Sequence, residues 1–236
     1  QKQTKAEIIY FADQKNFPYG EKPKNKLEKI IKNTINEMKD RFKPDVIVVG
    51  SNTPSLLMPG MFLADPTVMG VLPPLAEAQR LTKTNSIALL VTHSVAKSSE
   101  LDRFINKYRI AKTKIIKINS SELVELVESG KFISDKKLCI NKIISVLQKK
   151  FVTYDIDVAT LSSTHLPFLI LYLTKIFPNI KFLDPADKIA NQIVNHKYFF
   201  PSKRNGLEIF SSGDIANFQK NLQRIGIKNI VRQINL

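Results

Sequence analysis

The sequence predicts an α/β fold of two doubly wound parallel-sheet lobes, related by approximate two-fold symmetry, with the active-site cleft between them. Three observations carry this expectation. Short β-branched runs alternate with amphipathic stretches along the whole chain. The strand runs are almost continuously apolar, as in sheets covered by helices on both faces. One strand-end segment occurs twice, once in each half.

In order, strands are expected at 7–12, 46–50, 87–91, 114–118, 158–161, 180–183, 207–210 and 229–231. Helical spacing is clearest in 22–42, where Leu27, Ile30, Ile31, Ile35, Met38 and Phe42 recur on one side. Leu138, Ile140, Ile143, Ile144 and Leu147 repeat that pattern before Phe151. Eight strands with crossover helices suit two open sheets better than one barrel. The expected division gives residues 1–75 with 185–236 to the first lobe and 76–184 to the second.

The better strands each end in a short polar residue: Asp13, Ser51, Thr92, Ser120, Ser163, Asp184 and Ser211. Open α/β sheets bind ligands in the crevice beyond the carboxyl ends of their strands, and hydroxyls and carboxylates there suit an amino-acid ligand. Each residue taken singly is equally an ordinary helix cap. The repeat shifts the balance. Asp45 to Pro54 (DVIVVGSNTP) and Asp157 to Pro167 (DVATLSSTHLP) both open a strand with Asp-Val, place a serine six residues on, and reach a helix-starting proline. That pattern suggests one hydroxyl and one helix N-terminus from each lobe, and helix N-termini favour carboxylates.

Composition narrows the classes. The 236 residues, 43% hydrophobic and 24% charged, describe an ordinary globular chain. A single cysteine, Cys139, excludes an internal disulfide and makes a cysteine metal site implausible, and it points to a reducing, cytoplasmic compartment. No metal is expected. The most apolar stretch, 166–177, is interrupted by Lys175 and is far below the roughly 20 residues that a bilayer span requires, so no membrane partner is expected. The net charge of +15 attracts anions. Its lysines are spread over helices and linkers without interleaved aromatics, which favours a solvated surface over a nucleic-acid footprint.

The repeated segments resemble the paired motifs of glutamate racemases, which read cysteine-Asn-Thr and cysteine-Thr-His. Here they are Ser51-Asn52-Thr53 and Ser163-Thr164-His165, the latter followed by Leu166-Pro167. Further segments match in the family's order: Asp13 with Phe17-Pro18-Tyr19-Gly20 and Lys22; Val68-Met69-Gly70-Val71 and Pro73, which resemble the strand leading into the second domain; Leu123 to Gly130; Leu183-Asp184 with Ala186; and Ser212-Gly213-Asp214 with Phe218. Together they cover essentially the whole chain from Ile8 onward.

The resemblance implies a cofactor-independent isomerase acting on glutamate. Ser51 and Ser163 stand at the catalytic positions, His165 has a proton-transfer or activating role, and Glu128 is the carboxylate that holds His165. Pro18, Tyr19, Gly20, Asn52, Thr53 and Thr164 are the implied substrate contacts. A homodimer is left open.

Three departures stand out. Serine replaces cysteine at both catalytic positions. The family's first strand, ending Asp-Ser-Gly, and its helix are expected ahead of Gln1. Val95 stands where the family has a threonine three residues after Thr92, so one substrate hydrogen bond is expected to be lost.

The serines bear directly on the chemistry. Cofactor-free racemisation needs a base on one face of the α-carbon and an acid on the other. A thiol with a pKa near 8.5 can be tuned for both roles, whereas a hydroxyl is a far weaker acid and is rarely ionised. Weak or absent activity is therefore expected. The alternatives are a non-catalytic relative that binds a small acidic amino acid or dicarboxylate, or, less favoured, a basic nucleic-acid-binding protein.

Overall fold

A computed structural model describes residues 5–234. Its nine strands are β1 (Glu7–Ala12), β2 (Ile47–Val49), β3 (Val68–Gly70), β4 (Ser86–Val91), β5 (Lys114–Asn119), β6 (Val158–Leu161), β7 (Lys181–Leu183), β8 (Gly206–Ser211) and β9 (Val231–Gln233). The eight strands read from patterning are all present, within about two residues of their expected ends. β3 is the addition. Three residues are too few to show a period, and only the family resemblance marked it.

By contacts the described chain groups into two compact units: residues up to 47 with 67–69 and from 188 onward, and residues 48–66 with 70–187. The expected boundaries differ at 48–66, 70–75 and 185–187. The physical reason is the helix Asn52–Leu57, all six residues of which are buried. Leu56 joins Leu75, Leu89, Val91, Val95, Leu101 and Ile105 in one apolar cluster of the larger unit. Ser51 and Ser163 therefore fall in the same unit, rather than one in each half.

The larger unit is built on a parallel sheet of order β5-β4-β6-β7. β4 is fully buried from Ile87 to Val91, as a central strand covered on both faces must be. Helix Lys136–Thr153 buries Cys139, Ile143, Leu147 and Phe151. The expected Ile140 is instead 37% exposed, because strict four-residue spacing carries the buried stripe one position away from it. The smaller unit contains the parallel sheet β1-β8-β9. Helix Lys24–Phe42 buries Leu27, Ile31 and Ile35, and Phe42 places its ring 5.1 Å from that of Phe210 on β8. β2 and β3 pair as a two-stranded sheet.

The aspartates that open the two repeated segments have different fates. Asp157 accepts hydrogen bonds from Thr82 Oγ1 (2.5 Å), Lys83 N (2.5 Å), Thr84 N (3.2 Å) and Thr84 Oγ1 (3.1 Å), fastening the turn before β4 to the start of β6. Asp45 makes no such set among the described residues. Burial pushes the Asp157 carboxyl up, but these donors outweigh it and leave the group below its ordinary value. Its stabilising contribution is thus present above the unfolded carboxylate value of about 3.9 and is lost as pH falls through the lowered folded value. Asp157→Ala should cost about 1.5–3 kcal/mol in urea unfolding at neutral pH. The gap between variant and parent should narrow once the pH falls below about 4.

Candidate functional site

Chain direction locates the site. From β4 the chain moves to β5 on one side and then crosses to β6 on the other. The order of strands therefore reverses between β4 and β6, and a doubly wound sheet opens a crevice beyond the carboxyl ends at such a point. Thr92 follows β4, and Ser162, Ser163, Thr164 and His165 follow β6.

Side-chain bonds draw the end of β2 to the same place. Thr164 Oγ1 donates to the Gly50 carbonyl at 2.9 Å. Thr53 Oγ1 and Thr92 Oγ1 lie 3.3 Å apart. Ser51, Thr53, Thr92, Ser163 and Thr164 thus collect at the sheet's carboxyl end. Val95, expected to mark a lost substrate contact, is a core residue of the apolar cluster around Leu56.

His165 and Glu128 are brought together as expected, with Nε2 to Oε2 at 2.8 Å and side chains 26% and 31% exposed. Glu128 is the last residue of helix Ser121–Glu128, whose inward face is Leu123, Val124, Leu126 and Val127. That apolar face fixes where the helix ends.

Helix capping does not account for the strand-end hydroxyls. Ser51, Thr92 and Ser120 all precede helices, yet none makes a side-chain cap bond. Ser120 is fully buried and donates to the Val91 carbonyl at 3.0 Å, so it is a tie between strands. No hydrogen bond engages Ser51 Oγ or Ser163 Oγ among the described residues. Ser163 is only 7% exposed.

The expected helix N-termini need correction. Ser51 opens a helix of only six residues, and Ser163 is followed by a 3-10 turn, Leu166–Leu169. Neither supplies a substantial dipole. The prolines at Pro54 and Pro167 marked where the chain turns, but not how many turns would follow.

Asn52 is 3% exposed, and its Nδ2 donates to the Val71 carbonyl at 2.9 Å. Its Oδ1 is buried without a partner. Among the described residues three buried polar side-chain atoms lack one, and two of these, Asn52 Oδ1 and Ser94 Oγ, lie in the segments after β2 and β4. Unsatisfied buried groups are rare enough that two beside one sheet end call for an explanation.

Pro18, Tyr19 and Gly20 belong to the smaller unit. There Asp13 gathers a hub that patterning left as separate motifs. It accepts from Tyr19 OH (2.8 Å), Asn16 Nδ2 (2.9 Å) and Ser212 Oγ (3.1 Å). Burial first, then the charge and hydrogen bond of Asp13, push the Tyr19 phenol far above its ordinary value, so it remains a donor. Its hydroxyl is committed to Asp13.

Sequence reasoning missed Ser55 and Asn16. Ser55 could have been found by its spacing, one helical turn beyond Ser51. Among the described residues no group of three or more His, Cys, Asp or Glu could hold a metal ion, and no helix is long and apolar enough to cross a membrane.

No model of a known protein family matches the chain. Individual proteins do. The glutamate racemase of Buchnera aphidicola subsp. Schizaphis graminum (strain Sg) is 34% identical over 204 residues, spanning 83% of this chain and 76% of that protein. That of Actinobacillus pleuropneumoniae serotype 3 (strain JL03) is 30% identical over 193 residues, spanning 80% and 71%. The crystal structure of Escherichia coli glutamate racemase, in complex with L-glutamate and the activator UDP-MurNAc-ala, superposes with a TM-score of 0.81 at 22% identity, covering 96% of this chain and 87% of that one. The doubly wound sheets, the paired strand-end motifs and these relatives agree: the chain belongs to the glutamate racemase family.

Proposed function

We propose that the chain binds glutamate at the carboxyl ends of β4 and β6 as a cofactor-independent amino-acid isomerase, with proton transfer weakened by the hydroxyls of Ser51 and Ser163. The observation that carries this is the 2.8 Å His165–Glu128 pair at the strand-order reversal, two residues from an unengaged Ser163 hydroxyl. The buried acceptor Asn52 Oδ1 suits a ligand's ammonium group. Thr53 and Thr164 offer hydroxyls. His165, held by Glu128, serves the proton transfer at position 163. A cytoplasmic location fits an enzyme with one buried thiol.

The serines themselves favour a second reading, that of a relative which binds the acid without turning it over. Titration calorimetry with D- and L-glutamate, D- and L-aspartate and short dicarboxylates tests what both readings share. Glutamate should bind in the millimolar range or tighter. If none of these acids binds, and duplex DNA binds with a steep salt dependence, both readings fall.

A further inference from the structure

The structure assigns Ser55 as the positioning residue of Ser51, an inference that rests on reading Ser51 as a site residue. Ser55 is 3% exposed. Its Oγ donates to the Ser51 carbonyl at 2.7 Å and accepts from Val71 N at 2.9 Å. Asn52 Nδ2 meanwhile takes the Val71 carbonyl. Both polar groups of one peptide residue are thus gripped by two side chains of the segment that Ser51 opens. The grip fixes Ser51 from its own carbonyl, while its hydroxyl stays unengaged.

Gly70 belongs to the same device. A Cβ there would lie 2.7 Å from Ser55 Oγ and 3.0 Å from Ser55 Cβ. No other residue would let Ser55 stay where it is. The grip therefore needs a hydroxyl at 55 and a hydrogen at the α-carbon of 70, and the Ser55 hydroxyl, in a residue 3% exposed, is committed to its two partners. Ser55 acts through Ser51.

A thiol at position 51 reports its own placement. Cys139 contributes little background, being fully buried with its thiol pushed up to about 11 by burial. In Ser51→Cys, the rate of alkylation by iodoacetamide is followed against pH. Adding Ser55→Ala should change that rate roughly tenfold and displace its pH profile, since a thiol's reactivity follows its exposure and its thiolate population, and both depend on where it is held. Gly70→Ala should do the same by driving Ser55 off. Gln79→Ala is the control: it removes a comparable two-bond grip, on Tyr108 O and Ile110 N, and should leave position 51 unchanged.

In the unaltered chain, the Val71 amide should exchange slowly with deuterium. Equal rates and profiles with and without Ser55→Ala and Gly70→Ala would overturn the assignment, and so would a fast Val71 amide. Protection of the position-51 thiol by glutamate is read separately. If protection fails while the Ser55 effect persists, the substrate reading is lost and the positioning role stands; the reverse result removes only the positioning role.

Discussion

Exchanging Ser51 and Ser163 together for cysteine should raise the rate of α-proton exchange on glutamate by about three factors of ten, or roughly 4 kcal/mol of barrier. In the proposed reaction the two hydroxyls take the places of a base and an acid, and neither can hold a useful population of its anion near neutral pH. A thiol in the same place starts near pKa 8.5 and can be brought lower by its surroundings. Affinity should change much less, because Asn52, Thr53 and Thr164 are untouched. The measurement is solvent deuterium incorporation at the α-carbon of each enantiomer, followed by NMR. A single exchange should permit wash-in from one enantiomer only. Equal rates for the serine chain and the doubly exchanged chain would refute this chemistry and assign the proton transfer to His165 instead.

The next largest effect should come from His165→Asn in that doubly exchanged chain. A positioned acid or base is typically worth 10²–10⁴-fold, so turnover should fall by about that range with glutamate affinity nearly constant. Glu128→Gln should lose less, because it keeps a polar group on Nε2 at the same place and gives up only the charge. A fall in affinity as large as the fall in turnover would make the pair a binding element and not a catalytic one.

Much of this was legible beforehand, for identifiable reasons. β4 reads clearly because a strand buried on both faces needs a continuous apolar run, which 87–91 is, whereas β6 interrupts its run with Thr160, whose buried hydroxyl pairs with that of Ser162. Glu128 and His165, 37 positions apart, were joined only through the resemblance, since no local period connects a helix end to a strand end. Ser55 was overlooked because a serine among Pro54, Leu56 and Leu57 has the appearance of a short helix interior; its two partners become visible only when the Val71 peptide is placed beside it. The paired Asp-Val openings suggested equivalence, yet only Asp157 anchors a turn. A repeat in sequence conserves the frame of a strand, while the neighbours that use its polar residues are set elsewhere in the chain.

The full burial of β4 bears on how the protein responds to its ligand. Amides in such a strand open only with the whole cooperative unit, so Thr92 is anchored to what should be the slowest-exchanging element of its unit. A ligand seated at that end meets a surface that is ordered before it arrives, and little of the interaction free energy is diverted into folding protein around it. Ligand addition should therefore leave deuterium uptake in β4 unchanged. Any slowing should be confined to the segments that follow the strands, around residues 51–55, 92–95 and 163–166.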